Sequence, residues 1–170
     1  QDVEGGSVVT VLDERGRFVG QALYSDRSEI SLRLLTTGDE LIDREWWRKR
    51  LRAAAERRDR FRAEANAYRL IYSEGDLLPG LIIDRYNDCL VVQTLIQATD
   101  RLRPLIESAL QQQYAPRSIL FRNDSRVREL EALPLVEEWA GERPPETVVV
   151  DEDGKKLEAP VKRILRGAAA

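Results

Sequence analysis

The chain has 170 residues, of which 42% are hydrophobic and 34% are charged, a balance typical of a folded protein with a buried core. It contains no histidine and a single cysteine, which excludes histidine-dependent catalytic pairs, histidine-ligated metals and cysteine-rich zinc sites. The net charge of −3 argues against indiscriminate binding to polyanions.

No apolar run approaches the roughly 18 to 20 residues that a membrane-spanning helix needs, and the N-terminus shows no signal-peptide pattern. A single cysteine cannot form an internal disulfide, which fits a reducing compartment. We therefore predict a cytoplasmic location and no membrane partner. Because the chain has no methionine and its first six residues lead almost directly into a strand pattern, we also expect it to be part of a longer protein.

The first 43 residues predict a small β domain. Residues 8–12 and 18–24 read as the two strands of a hairpin around the turn residues 13–16. Apolar residues alternate with polar ones over 30–34, which predicts a third strand. Three short strands with tight turns indicate an incomplete β-barrel, and we expect its missing strands to precede residue 1.

Asp43 is a suitable N-cap for a helix that we predict over residues 44–67. Apolar residues such as Trp47, Leu51 and Phe61 fall on one stripe at helical spacing, so one side of the helix should face a core. Between residues 44 and 62 there are nine basic and three acidic residues. Residues 129–158 carry ten acidic and three basic residues, so the charge is strongly segregated.

Residues 68–157 predict a second, mixed domain, so the fold class is α+β with a long basic helix joining the two parts. Its strands are predicted at residues 67–73, 81–84, 89–93, 118–121 and 147–150, and its helices at 100–113 and near 126–130. Residues 74–80 form a turn-rich loop, and residues 158–170 are predicted to be a tail.

Two stretches of the sequence resemble one known family. Residues 7–35, with Val11-Leu12-Asp13, Phe18-Val19-Gly20 and Ala22-Leu23-Tyr24, resemble the latter part of a PUA domain. Residues 74–86, EGDLLPGLIIDRY, resemble the opening of the central domain of bacterial methyltransferases that modify C5 of a cytosine in large-subunit (23S) ribosomal RNA. Those enzymes consist of a PUA domain, a strand-strand-helix-strand-strand domain and a C-terminal Rossmann-like domain that binds S-adenosylmethionine. The order here matches the first two parts, to about Val150.

From Leu157 onward the sequence departs from the family, whose next segments lead to cofactor-binding glycines and to a catalytic cysteine beside a proline. The resemblance therefore implies that this chain is the RNA-recognition and linker portion of an S-adenosylmethionine-dependent rRNA methyltransferase. It implies ribosomal RNA as the partner, no catalytic residue in this chain, and no S-adenosylmethionine bound by the fragment alone.

Three alternatives stay open at this point. The chain could be a free-standing RNA-binding or ribosome-associated adaptor, or a protein-interaction domain whose acidic C-terminal third docks on a basic partner. A homodimer is also compatible with the sequence.

The arginines of the basic helix are the first candidates for contacts to RNA phosphates, because a guanidinium offers a forked set of donors. These candidates are Arg48, Arg52, Arg57, Arg60 and Arg62, and the first choice among them is Arg48, Arg52 and Arg62. A second candidate patch lies on the PUA-like strands and consists of Arg15, Arg17, Arg27 and Arg33. The competing interpretation of the helix is a solvated face with ion pairs to Glu45, Glu56 and Asp59.

The remaining chemically suggestive residues are expected to be structural. Cys89 lies in an apolar strand and should pack as a small hydrophobic residue. Asp76 should accept hydrogen bonds from backbone amides of its turn, and Asp84 should pair with Arg85 or end its strand. Neighbouring helix positions point about 100° apart, so at least one of Trp46 and Trp47 belongs to the core, and we expect it to be Trp47.

Overall fold

The computed structural model describes residues 3–58, 65–144, 146–152 and 155–161. The strands are β1 (Val8–Leu12), β2 (Phe18–Tyr24), β3 (Leu32–Thr36), β4 (Ala67–Tyr72), β5 (Leu81–Tyr86), β6 (Cys89–Thr94), β7 (Ser118–Asn123), β8 (Val136–Gly141), β9 (Thr147–Glu152) and β10 (Lys155–Pro160). The α-helices are α1 (Arg44–Glu56), α2 (Gln97–Arg101) and α3 (Arg103–Tyr114), and two 3₁₀ turns span Ser73–Asp76 and Arg126–Glu131. None of the helices in these ranges is long and apolar enough to cross a membrane.

The first three strands form one antiparallel sheet in the order β1-β2-β3. The Asp13 side chain closes the first turn by accepting hydrogen bonds from the backbone amides of Arg15 and Arg17, both at 2.9 Å. Leu23 and Leu35 are buried, whereas Leu34 is exposed. The hairpin prediction is thus confirmed, while the described strands form an open sheet and not a closed barrel.

Helix α1 begins where the sequence predicts and ends earlier. The carboxylate of Asp43 accepts a hydrogen bond from the amide of Trp46 at 2.8 Å, which is the expected N-cap geometry. The predicted extension to residue 67 is wrong, because Ala67 already belongs to β4. The side chain of Asn66 bonds to the backbone of Val149 and Asp151 instead. Residues 59–64, and with them Phe61 and Arg62, lie outside the described residues.

The central sheet has five strands in the order β4-β5-β6-β7-β8. All neighbours are antiparallel except β6 and β7, whose parallel pairing needs a crossover connection. Helices α2 and α3 supply that crossover. The single helix predicted over residues 100–113 is therefore two helices that meet at Leu102, with Pro104 in the first turn of the second.

Two strands were not predicted. Strand β8 contains two exposed glutamates, and β10 begins with two lysines, so neither shows a clear apolar alternation. These two segments are strands because each pairs with a neighbour, β8 with β7 and β10 with β9. Val148 and Val150 of β9 pack with Trp139 of β8 in a second, small apolar cluster.

The main core is continuous across the parts of the chain. It contains Leu23 and Leu35 from the first sheet, Trp47 and Leu51 from α1, and the inward residues of the central sheet and α3. The PUA-like strands therefore pack on the central sheet and share its core.

A polar turn completes this contact between the two sheets. The carboxylate of Glu131, only 1% exposed, accepts a hydrogen bond from the Ser25 hydroxyl at 2.8 Å and pairs with the Arg33 guanidinium at 3.2 Å. Arg128 of the same turn is fully buried and donates to Asp100 at 2.9 Å and to the carbonyl of Pro134 at 3.0 Å. The turn thus contacts the first sheet through Glu131 and the rest of the central domain through Arg128.

We predict that Glu131→Ala lowers the free energy of unfolding by about 3–5 kcal/mol, because it leaves the largely buried Arg33 guanidinium without its anion. Urea unfolding monitored by tryptophan fluorescence measures this. Glu129→Gln, at an exposed position two residues earlier, is the matched control and should change stability by less than about 0.5 kcal/mol. Equal unfolding midpoints for the two variants would contradict the role assigned to Glu131.

Candidate nucleic-acid interface

One side of α1 faces solvent and carries exposed basic side chains. Trp46, Trp47, Leu51, Ala54 and Ala55 line the buried side. Lys49 and Arg52 are exposed, and Arg48 is half-buried. Arg48 and Arg52 lie one turn apart, so their side chains can follow neighbouring points on a phosphate backbone.

Acidic residues share that exposed side. Glu45 lies four residues before Lys49, and Glu56 lies four residues after Arg52, and both glutamates are exposed. This is the spacing of ion pairs on a solvated helix. The geometry of α1 is therefore compatible both with a phosphate-binding face and with a solvated face of ion pairs.

Other arginines of α1 are part of the fold. The Arg50 guanidinium lies over the ring of Trp46, 4.8 Å from its centroid. Arg57 and Arg58, which follow the last residue of the helix, both bind Asp76, at 3.0 Å and 2.7 Å. Within the described part of this segment, Arg50, Arg57 and Arg58 therefore have partners in the fold, although Arg57 still keeps 51% of its side chain exposed.

The second candidate patch, on the first three strands, also contains both exposed arginines and one that is part of the fold. Arg15, Arg17 and Arg27 are exposed, and Arg17 forms a surface pair with Asp13 at 2.7 Å. Arg33 does not belong with them, because its side chain is only 14% exposed and is held by Glu131. We therefore remove Arg33 from the RNA-binding candidates and assign it to the contact between the two sheets.

Neither tryptophan of α1 offers a stacking surface. Trp47 is in the core, as predicted, and Trp46 is buried as well. The two rings meet edge to face, with centroids 5.2 Å apart and planes at 78°.

The loop after β4 is clamped by a buried carboxylate. Asp76 accepts a hydrogen bond from the Tyr72 amide at 2.6 Å, as expected for a turn aspartate, and is also paired with Arg57 and Arg58. Burial opposes its ionisation, but hydrogen bonds from Arg58, the Tyr72 amide and Arg57 outweigh this and hold the pKa of Asp76 below its usual value. The two arginines were missed because they precede Asp76 by 18 and 19 residues.

Asp84 also finds a non-local partner. The predicted pairing with Arg85 is wrong, because Arg85 donates instead to the carbonyl of Asn87. Asp84 binds Arg69 of the neighbouring strand with both carboxylate oxygens, at 2.8 Å and 3.2 Å. Arg69 and Asp84 lie directly opposite each other in the register of β4 and β5. Their side chains therefore meet across the two strands.

Cys89 is a buried thiol in strand β6, as predicted. Burial, with a contribution from the nearby charge of Asp88, raises the pKa of the Cys89 thiol to about 11. Such a thiol is protonated at neutral pH and is not an activated nucleophile. Within the described ranges no group of three or more histidine, cysteine, aspartate or glutamate side chains could hold a metal ion.

The acid dependence of stability should report the Asp76 clamp. Because the folded-state pKa is lowered, the clamp stabilises the protein above the unfolded pKa of about 4 and is lost as the pH falls through the folded value. We expect Asp76→Asn to be less stable than wild type by about 1–3 kcal/mol at pH 7, with a smaller difference at pH 3. Urea unfolding across this range measures it, and Glu74→Gln in the same loop is the control. A difference that does not change with pH would refute the assignment.

The Cys89 thiol should react slowly in the folded protein. At pH 8 a thiol with a pKa near 11 has roughly 200-fold less thiolate than a free cysteine with a pKa of about 8.5. We expect labelling by Ellman's reagent to be at least about 100-fold slower in buffer than in urea. Rates within tenfold of each other would show that Cys89 is accessible and reactive.

Comparison with known proteins supports the two sequence resemblances. Residues 1–37 match a family model described as a PUA-like domain. The chain is 40% identical over 166 residues to ribosomal RNA large subunit methyltransferase I from Tolumonas auensis, and 39% identical over 160 residues to the protein of that name from Yersinia pseudotuberculosis. These alignments cover 94% and 92% of this chain but only 41% and 40% of the relatives.

The fold is similar to that of a solved Streptococcus mutans protein assigned as a SAM-dependent methyltransferase. The TM-score is 0.77 at 20% identity, covering 94% of this chain and 41% of the other. Nearly the whole chain thus corresponds to about two fifths of the length of the methyltransferases it matches.

Proposed function

We propose that this chain is the RNA-recognition and connecting portion of a larger, S-adenosylmethionine-dependent methyltransferase that acts on large-subunit ribosomal RNA. The observation that carries the proposal is the 40% identity over 94% of the chain to an enzyme named for that activity. The match of residues 1–37 to a PUA-like domain supports the recognition role. Modification at C5 of a cytosine is the finer part of the proposal and rests on the resemblance of residues 74–86.

The proposal assigns the cofactor to the part of the parent enzyme that lies outside this chain. A second similar structure is described as a methyltransferase complexed with SAH, the demethylated form of the cofactor. In this chain, a cleft of about 360 Å³ is bounded mainly by charged side chains, including Asp100, Arg101 and Arg103. It is a poor fit for an adenine ring, which needs apolar walls. The buried, protonated Cys89 is equally unsuited to nucleophilic chemistry on a pyrimidine.

The adaptor alternative gains nothing from the relatives reported above, because these are named as methyltransferases. The homodimer left open by the sequence is likewise without support. We therefore keep one function, in which the exposed cations of this chain hold ribosomal RNA for a catalytic domain elsewhere in the parent.

Within this proposal, α1 contacts the phosphate backbone through Arg48, Lys49 and Arg52, and Arg15, Arg17 and Arg27 form a second contact. Arg62 stays a candidate from the sequence. Each phosphate contact releases condensed counterions, so the affinity should fall as salt rises, with a log-log slope set by the number of contacts.

We predict that replacing Arg48, Lys49 and Arg52 together by Gln weakens binding to structured 23S rRNA fragments and makes the salt slope shallower. Three lost contacts at roughly 0.7–0.9 each correspond to a change of about 2–3 in slope. Filter binding or fluorescence anisotropy between 50 and 300 mM KCl measures both quantities.

The matched control replaces Arg117, Arg126 and Arg143 by Gln, which removes the same charge from exposed positions of the central domain. If α1 is the interface, the control retains the wild-type slope. If both triple variants behave alike, the effect is one of net charge and α1 is only a solvated helix. Absence of RNA binding by the wild-type chain would refute the recognition role itself.

A further inference from the structure

Tyr72 is an exposed aromatic residue at the C-terminal end of strand β4. Its side chain is the largest apolar group exposed on that strand, with 53% of the residue accessible. Leu77, in the loop that follows, is also exposed. The ring of Tyr72 therefore lies outside the main core.

A β-bulge determines which way the ring faces. In a regular strand, residues 69 and 72 would lie on opposite faces, because side chains alternate with a period of two. The pairing register of β4 with β5 shifts between Arg69 and Ile71, which places Arg69 opposite Asp84 and Tyr72 opposite Ile82 on the same face. Bulges at sheet edges commonly re-aim a side chain in this way.

The bulge brings a guanidinium over the ring. The Arg69 guanidinium lies 5.2 Å from the centroid of Tyr72. Its own position is held by the two hydrogen bonds to the buried Asp84 carboxylate. The ring therefore has a cationic backing that is anchored in the sheet.

The loop holds the ring from the other direction. The Tyr72 amide is bonded to Asp76, and Asp76 is clamped by Arg57 and Arg58 from the end of α1. The backbone at Gly75 lies so close that a Cβ there would be 3.2 Å from Cδ1 of Tyr72. Leu77 adopts a left-handed conformation, with φ of 58°, a geometry that costs energy in a residue other than glycine.

The result is an exposed aromatic ring with one cation behind it and a second near its backbone. Arg57 keeps 51% of its side chain exposed although it binds Asp76. Arg57 follows α1 directly and binds Asp76, which also accepts the hydrogen bond from the Tyr72 amide, so the backbone of Tyr72 lies near the end of the basic helix proposed above as the phosphate contact. A pre-positioned ring that ends a basic surface is the arrangement by which proteins hold unpaired bases.

We propose that Tyr72 stacks on an unpaired base of the RNA, with Arg69 behind the ring and Arg57 beside it for the adjoining phosphate. This rests on the proposed RNA-recognition role and names the class of RNA that the site accepts. An apolar partner protein fits less well, since one ring and one leucine offer far less than the roughly 800 Å² per partner of a stable protein interface.

The test compares two RNA probes with the full chain. One is a hairpin with an unpaired loop, and the other is a fully paired duplex of the same length. We expect Tyr72→Leu to weaken hairpin binding by about 5- to 100-fold and duplex binding by less than threefold. The salt slope should stay unchanged, because stacking releases no counterions. Tyr72→Phe, which keeps the ring, should bind as wild type does.

Two controls make the result specific. Phe18→Leu removes another exposed aromatic ring, on strand β2, and should leave the hairpin-to-duplex ratio unchanged. Abasic substitutions along the loop should weaken wild-type binding at one position, and the same substitution should have no further effect in Tyr72→Leu. Thermal unfolding of each variant shows whether the loop remains folded.

Several outcomes would overturn the inference. If the wild-type chain binds RNA but Tyr72→Leu retains its hairpin affinity, Tyr72 does not stack on a base and the inference is wrong. A shallower salt slope in Tyr72→Leu would show loss of phosphate contacts and not of stacking. If the wild-type chain binds neither probe, the proposed recognition role fails before the question of Tyr72 arises.

Discussion

A buried carboxylate needs hydrogen-bond donors or a cation in place of water. For Glu131, which belongs to the central domain, these come from the β1-β2-β3 part of the chain. The Ser25 hydroxyl donates to one oxygen of this carboxylate and the Arg33 guanidinium pairs with the other, while Arg128 of the same turn bonds to Asp100 and to the Pro134 carbonyl. Apolar contacts between the two sheets are strong but have no preferred direction. Hydrogen bonds to a planar carboxylate are directional, so this turn determines how the two sheets are oriented relative to each other. Any RNA surface that extends from one sheet to the other depends on that orientation.

Helix α1 connects the same two parts and divides its charges between structure and solvent. Its aromatic residues lie in the common core, and the arginines that follow it clamp Asp76 in the next loop. A count of basic residues therefore overstates the charge available to a partner. What remains on the surface is a short cationic face beside Glu45 and Glu56, which is suited to contacts at defined points and not to general attraction of polyanions.

These constraints bear on the proposed role of this chain in RNA recognition. The frame is rigid where buried charges are paired, and its exposed cations and the Tyr72 ring are attached to that frame. Rigid placement lowers the entropic cost of binding, because few side chains have to be ordered when the ligand arrives. The chain aligns with only about two fifths of longer methyltransferases, and under the proposed function it positions RNA for chemistry performed elsewhere.

Local features were within reach of the sequence. The β1–β2 and β5–β6 hairpins, the Asp43 cap, the burial of Trp47 and of Cys89, and the mixed α+β class follow from alternation, turn residues and helical spacing, which act over a few residues. Other features could not be predicted from these local signals. They are the end of α1, strands β8 and β10, the roles of Arg33 and Asp84, and the exposure of Tyr72. Each of them depends on a partner distant in sequence, as Glu131 is from Ser25 at a separation of 106 positions, or on a one-residue shift in strand register. Burial and register are properties of the assembled chain, so only the tertiary structure decided which charged side chains support the fold and which remain for a partner.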